Sequence, residues 1–532
     1  VDGTAVAAGP PTRDENSENF PVASRLIPAA QRPKVLAFYR FVRTADDIAD
    51  HATLNSTEKL ARLEAMELLL DDPAGPLAEV GTEEARLMLS AFRQDAVRPR
   101  YPDWAALEDY CARSADPVGR MLLRLHGEDD AAARHASDGL CTALQILNHL
   151  QDLVPDRQAM DRIYLPVPWM ALAGGEDAFF ARDNAARRAV LDAALDRVEA
   201  LLEQAAPLPR LLRSRLRFQA AVTLDLGWRL LAKLRAADPV AGRVGLGKVD
   251  FGKAFARLAL PPPSDAAVVT ARVTRAKSSF ARGMAVLKGE RRRALFAVYG
   301  FCRAVDDIAD GAMPEGEKRR FLAAWRSKLE APDCALSAEL AWARRAFALP
   351  IEECEAMIAG METDATPALR LRTETELDEY CRRVAGSVGA MAVRIFGAPG
   401  AQGFGLALGR TFQLVNILRD VDEDAGIDRV YVPADLLARH GVTATTPAAI
   451  VAHPGFARSC EELAHRAAAG FARADQELRE HDPAALKPAR VMMWGYRQIF
   501  DRMQAQGFAH PRTRPRLTRG EKLRMALLAM KP

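Results

Sequence analysis

The chain has 532 residues, enough for more than one domain, and its 49% hydrophobic and 27% charged side chains are those of an ordinary globular protein. A net charge of +3 with scattered basic residues excludes bulk nucleic-acid binding. Seven cysteines, an odd count with no CxxC pair, exclude a disulfide framework or a zinc site and point to a reducing compartment, the cytoplasm.

The N-terminal stretch, residues 1–16, lacks a basic region followed by an apolar core, so it reads as a disordered leader and not as a signal peptide. No window is apolar enough to span a bilayer, the C-terminal MALLAM being far too short, and any membrane contact is peripheral. From Gln31 to Asp50 apolar residues recur at helical spacing, and the same texture of Ala, Leu, Arg and Glu runs through both halves with few alternating β-branched runs. The pattern predicts an all-α protein.

Tyr39 to Asp50 reads YRFVRTADDIAD, and Tyr299 to Asp310 reads YGFCRAVDDIAD. Asp46, Asp47 and Asp50 thus return as Asp306, Asp307 and Asp310, and Arg43 returns as Arg303. On a helix, carboxylates at i and i+4 share a face. Asp306 and Asp310 follow an apolar run, so they are costly to bury unless a cation joins them. A hard divalent ion such as Mg²⁺ takes one or two carboxylates together with substrate phosphates. A solvated acidic helix face is the plain alternative for a single such motif.

Further landmarks repeat in the same order, 260 to 270 residues apart. Tyr110 to Gly127, YCARSADPVGRMLLRLHG, pairs with Tyr380 to Gly397, YCRRVAGSVGAMAVRIFG. Small residues at Ala115-Asp116-Pro117 and Ala385-Gly386-Ser387 are expected to kink or interrupt a helix there. Gln145, Asn148, Asp152 and Asp156 fall at i, i+3, i+7 and i+11, and Gln413, Asn416, Asp420 and Asp424 have the same spacing. That is one helix face over three turns, a polar stripe flanked by Leu and Val, and it reads as a second cation-binding wall. Arg162-Ile163-Tyr164-Leu165-Pro166 and Arg429-Val430-Tyr431-Val432-Pro433 close the two helical regions.

The period is far too long for a solenoid, so the chain is a duplicated domain. The joint is placed at Pro261-Pro262-Pro263-Ser264, giving domains 17–262 and 263–532. Two acidic faces opposed across an apolar bundle suit a diphosphate held by Mg²⁺, whose departure leaves a carbocation in a dry cavity. That combination points to prenyl diphosphates.

On these motifs, DDIAD, YC with its small-residue break, and the Gln, Asn, Asp, Asp stripe followed by R.Y.P, both halves resemble the squalene/phytoene synthase family over nearly their whole length. The second half is similar to the presqualene diphosphate synthases of bacterial hopanoid biosynthesis, with Lys277-Ser278-Ser279-Phe280 near its start. The first half is similar to the hydroxysqualene synthases, through Glu18-Asn19-Phe20-Pro21-Val22 and the sequence Asn148 to Asp152. The resemblance implies two tandem isoprenoid synthase domains, natural or designed as a fusion. The second half would join two farnesyl diphosphates into presqualene diphosphate, and the first would turn that product into hydroxysqualene.

By the resemblance, Asp306, Asp310, Asp420 and Asp424 hold Mg²⁺ in one half and Asp46, Asp50, Asp152 and Asp156 in the other. Arg43, Arg303, Arg419, Gln145, Asn148, Gln413, Asn416 and Tyr496 contact substrate diphosphate, while Tyr110 and Tyr380 lie by the reacting carbons. Arg419 faces Gln151 across the repeat and Tyr496 faces Trp228, consistent with a second half that holds two diphosphates at once. His149, one residue past Asn148, points off the ligand face and reads as packing, and Asp116 interrupts the small-residue break. Gly403 to Gly409 lies in a helical pattern with no preceding strand, so it is no dinucleotide fingerprint, and water, not a nicotinamide cofactor, is expected to quench the last cation. The alternatives are a phytoene or dehydrosqualene type of synthase, one active half beside a scaffold half, and an assembly factor, which loss of the aspartates would mark, whereas all of them are present in both halves. A downstream enzyme consuming hydroxysqualene is the further partner implied.

Overall fold

Pro33 in the first turn, where a missing N–H costs nothing, opens the Arg32–Ala49 helix, which buries Val35, Phe38, Phe41, Ala45 and Ile48 along one face. Phe38, Phe41, Ala45 and Ile48 form one core cluster with Leu63, Met66, Leu89 and Phe92. Full burial of a phenylalanine or leucine there is worth about 1.5 to 3 kcal/mol each. The structure, a computed structural model, describes residues 29–72, 75, 77, 81–182, 184–275 and 287–530, without the side chains of 526, 529 and 530. The leader and the Glu18–Val22 and Lys277–Phe280 signatures lie outside the described residues.

The chain divides into two compact units, Val1–Asp265 with Gly311–Glu317, and Ala266–Asp310 with Lys318–Pro532. In the first, the Trp104–Ser114 and Asp116–Leu125 helices are separated at Ala115, as the Ala115-Asp116-Pro117 break predicts. Asp103 and Asp130 cap the Trp104–Ser114 and Ala131–Gln151 helices by accepting from the N–H groups of Ala106 and Ala133 at 2.7 and 2.8 Å.

In the second unit, the Gly289–Asp310 helix buries Leu295, Val298, Phe301, Val305 and Ile308. The predicted break between Tyr380 and Gly397 is a π-helical turn, Arg382–Gly386, joining the Glu374–Cys381 and Ser387–Phe396 helices. The glycines of the Gly403–Gly409 stretch belong to the Gln402–Gly426 helix and serve a close crossing. A Cβ on Gly389 would lie 2.0 Å from the carbonyl oxygen of Gly405, and one on Gly409 would lie 2.2 Å from that of Ala385. At the matching crossing of the first unit, a Cβ on Gly119 would meet the Ser137 hydroxyl at 2.3 Å.

Among the described residues there are no strands, only isolated bridges pairing Tyr101 with Pro166 and Arg370 with Val430. All seven cysteines are unbridged. No helix among the described residues is long and apolar enough to cross a membrane.

Candidate active sites

In each unit the first acidic motif ends a helix whose other face is core. Arg43 pairs with Asp46 at 2.8 Å and Asp47 at 2.9 Å, and Arg303 pairs with Asp306 at 2.9 Å and Asp307 at 2.6 Å. The arginine one turn back therefore supplies part of the positive charge that a buried run of aspartates requires.

The second acidic motif differs between units. In the second it lies on one unbroken helix, Gln402–Gly426, as the spacing predicts. In the first the helix stops at Gln151 and restarts at Leu153, with Asp152 at φ −104° and ψ 19° between them. Pro155 explains the break, because it has no N–H to give the Gln151 carbonyl four residues back and it disfavours helical geometry in the residue before it.

The two motifs of each unit come together. Asp46 is pushed up to about 8, by burial first and then by Asp50, and Asp156 to about 7, by burial, Asp152 and Asp50. Asp306 and Asp424 are pushed to about 7, by burial and then by Asp310 and Asp420 respectively, with Asp310 also felt at Asp424. Carboxylates that resist ionising together await a cation. Among the described residues no group of three or more such side chains closes into a ligand set by itself. The donors fit Mg²⁺ all the same, since that ion prefers oxygen, keeps several waters and completes its shell with phosphate oxygens.

One arginine and one aspartate to which the sequence motifs assign no role organise each site. Arg162, quoted only as closing its helical region, forms an ion pair with Asp50 and donates to the Ala49 carbonyl at 2.8 Å. Arg429 does the same with Asp310 at 2.6 Å and the Ala309 carbonyl at 3.3 Å. Asp95 accepts from the hydroxyls of Tyr110 at 2.7 Å and Tyr164 at 3.4 Å, and Asp364 from those of Tyr380 at 2.9 Å and Tyr431 at 2.6 Å. Burial pushes Asp95 to about 7 against the pull of Arg162 and Tyr110, and Asp364 to about 6 against that of Tyr431 and Arg429. The signal was present, for Asp95-Ala96 returns as Asp364-Ala365 at an offset between those of the motifs on either side.

An apolar cavity opens beneath each site. The first, about 390 Å³, is bounded by Phe38, Asp46, Phe92, Tyr110, Leu140, Gln145 and Asn148 among others. The second, about 280 Å³, is bounded by Tyr299, Val384, Phe404, Phe412, Asn416 and Tyr496. Tyr496 stacks on Phe412 with ring centroids 4.0 Å apart, whereas Trp228, its partner across the repeat, is absent from the first cavity's wall. Asn416 donates to Gln413 at 3.3 Å.

The Arg419 and Gln151 contrast takes a definite form. Arg419 grips both oxygens of Asp420, at 2.8 and 2.6 Å, and Arg514 adds a third contact at 2.8 Å. Against burial, these two guanidiniums hold Asp420 below the usual carboxylate range. Gln151 is buried and donates to the Val244 carbonyl at 2.6 Å, tying down the segment from which Arg243 reaches Asp152 at 3.2 Å. His149 is packed, as its position predicts, and Asp116 is buried and accepts from Thr142 at 2.8 Å.

A presqualene diphosphate synthase of Rhodopseudomonas palustris is similar at 42% identity over 257 residues, 47% of this chain and 92% of the relative. A hydroxysqualene synthase of Sinorhizobium fredii is similar at 38% identity over 249 residues, 44% of this chain and 85% of the relative. A crystal structure of a squalene synthase from Alicyclobacillus acidocaldarius is 30% identical, covers 40% of this chain and 87% of its own, and has a TM-score of 0.37. The sequence profile described as squalene/phytoene synthase matches residues 13–250 and again 273–521. Two successive matches over most of the chain, each on an all-helical unit, establish that it belongs to the squalene/phytoene synthase family as a tandem of two isoprenoid synthase domains.

Proposed function

We propose that the chain runs two consecutive prenyl reactions, the second half joining two farnesyl diphosphates into presqualene diphosphate and the first half converting that product into hydroxysqualene. The observation that carries this reading is the duplicated constellation itself, in which two acidic motifs meet beside a clamped tyrosine, with an apolar cavity lined by Tyr110 and Asn148 in the first half and by Asn416 and Tyr496 in the second. The difference between the halves supports the division of labour. Arg419 adds a guanidinium beside the metal-binding wall of the half assigned two diphosphates, where the other half has neutral Gln151.

Asp306, Asp310, Asp420 and Asp424 would hold Mg²⁺ in the second half, and Asp46, Asp50, Asp152 and Asp156 in the first. When bound, Mg²⁺ supplies neutralisation of the charge that develops on the departing diphosphate. Arg43 and Arg303 set the acidic helix ends and stand ready to exchange a carboxylate for a phosphate oxygen. Gln145, Asn148, Gln413 and Asn416 offer neutral hydrogen bonds along the same wall. The apolar cavity excludes water while a carbocation exists. Tyr110 and Tyr380 present their rings to that cation, and Asp95 and Asp364 hold their hydroxyls turned away from it.

The balance in the second half is loss of one diphosphate and one proton as the cyclopropane forms. In the first half diphosphate leaves, the cation rearranges and water adds, the released diphosphate taking the proton. Neither step needs a reductant.

Purified full chain, supplied with farnesyl diphosphate and Mg²⁺ but no nicotinamide cofactor, is expected to yield hydroxysqualene. Presqualene diphosphate accumulating alone would contradict the role given to the first half. Arg419→Gln is expected to weaken farnesyl diphosphate binding about tenfold, the worth of one charge-assisted hydrogen bond, in a titration of initial rates. Unchanged KM would remove the charge argument for the division of labour.

A further inference from the structure

The two cavities differ in their walls one turn past the clamped tyrosines. The Tyr110 and Tyr380 segments pair residue for residue, so Ser114 stands where the second unit has Val384. On the helix of the second motif Asn148 matches Asn416, so Ser137 and Cys141 stand where the second unit has Gly405 and Gly409. All six residues line their cavities. The second wall has no polar side chain at these positions, and the first carries two hydroxyls and a thiol.

Ser137 and Cys141 gather where the Asp116–Leu125 helix crosses, a Cβ on Gly119 falling 2.3 Å from the Ser137 Oγ and 2.8 Å from the Cys141 Sγ. Burial first, then Asp116, push the Cys141 thiol up to about 12, so it stays neutral. Ser114 closes the Trp104–Ser114 helix and is 6% exposed. It lies one turn, about 6 Å of helix, beyond Tyr110. A helical serine commonly donates to the carbonyl four residues back, as Ser387 does to Arg383 at 2.6 Å. The Oγ of Ser114 is buried and makes no hydrogen bond among the described residues. Buried polar atoms of native folds are satisfied by protein or by water, and the cavity that Ser114 lines, about 390 Å³, has room for a water.

Building on the reading of the first half as the hydrating enzyme, we propose that Ser114 positions, through Oγ, the water that adds to the carbocation. Ser114 shares its cavity with Tyr110, Asp46 and Asn148, so a cation held at the Tyr110 ring is one helical turn from that water. An O–H of the water donates to Oγ, which leaves a lone pair on the water oxygen for the cationic carbon. The C–O bond forms from that pair, one O–H bond breaks, and its proton goes to the diphosphate released earlier in the same turnover. The serine hydroxyl is uncharged, so it orients the water without setting a positive group beside the cation. In the second half water would intercept the cation before the cyclopropane closes, and Val384, Gly405 and Gly409 offer it no side-chain hydrogen bond.

The test uses the full chain with presqualene diphosphate and Mg²⁺, reading diphosphate release and the ratio of alcohol to the hydrocarbon formed when the cation loses a proton instead. Ser114→Val copies the second unit. The ratio is expected to fall about tenfold, the worth of one hydrogen bond, while diphosphate release, which precedes the addition of water, changes less than about threefold. Ser114→Thr has the shape of the valine variant with the hydroxyl kept, and it is expected to recover most of the alcohol. Ser114→Ala removes the hydroxyl alone and gives the same readout should the Val variant fail to fold. A wild-type chain that makes no alcohol overturns the reading of the first half. A wild-type chain that makes alcohol beside a folded Val or Ala variant with an unchanged ratio overturns the role of Ser114 alone.

Discussion

Asp306→Asn or Asp424→Asn is expected to cut formation of presqualene diphosphate by about a thousandfold, the several kcal/mol of leaving-group stabilisation that a bound divalent ion contributes. Asp46→Asn or Asp156→Asn should leave that step intact and block the next, so that presqualene diphosphate builds up. The amide keeps the shape of the carboxyl and removes its charge. Asp46, pushed up to about 8 by burial and by Asp50, destabilises the metal-free fold wherever it is ionised. The sign follows from linkage: a carboxyl whose folded pKa is raised opposes folding above its unfolded value. Asp46→Asn should therefore raise the stability of chelator-treated protein, by about 1 kcal/mol after solvent screening, while abolishing consumption of the intermediate. Product analysis by mass spectrometry and thermal unfolding of the same samples give both quantities. Loss of both reactions from a first-half substitution would show that the halves do not work independently.

The repeat made the architecture legible before any coordinate. Tyr39–Asp50 and Tyr299–Asp310 gave the helices, the acidic faces and the number of domains, because period and charge are local properties of the chain. The π-helical turn at Arg382–Gly386 was legible only as a break, since its geometry depends on the glycine crossing beside it. The interruption at Asp152 could have been read from Pro155, whose effect on the turn before it is local. The identical spacing of the two stripes hid it.

What the sequence concealed is what acts at long range. Asp95 and Asp364 meet their tyrosines across gaps of 15 and 69, and of 16 and 67 residues. Arg162 and Arg429 reach their aspartates over 112 and 119 residues. Nothing in helical periodicity ties such partners together. The side chain of His149 followed its local geometry and is packed, whereas the buried Oγ of Ser114 becomes visible only when the cavity around it is placed.

The Arg162 clamp carries a large stability effect for a single polar side chain. Arg162 is 5% exposed and holds Asp50 and the Ala49 carbonyl while facing Asp95. Arg162→Met fills the same space and leaves these carboxylates facing one another without a guanidinium, which should cost about 3 kcal/mol. The side chain of Asp310, partner of Arg429, is 50% exposed against 34% for Asp50, so water takes up more of the loss and Arg429→Met should cost less, about 1 to 2 kcal/mol. Calorimetry of the full chain should resolve the difference as an earlier unfolding event in the first unit than in the second. The clamp also fixes the carboxylate that would bind metal. Arg162→Lys keeps the charge but not the two-pronged grip, so it should recover part of the stability and little of the activity. Equal destabilisation by the two methionine variants would mean that solvent exposure of the partner aspartate does not set the strength of the clamp.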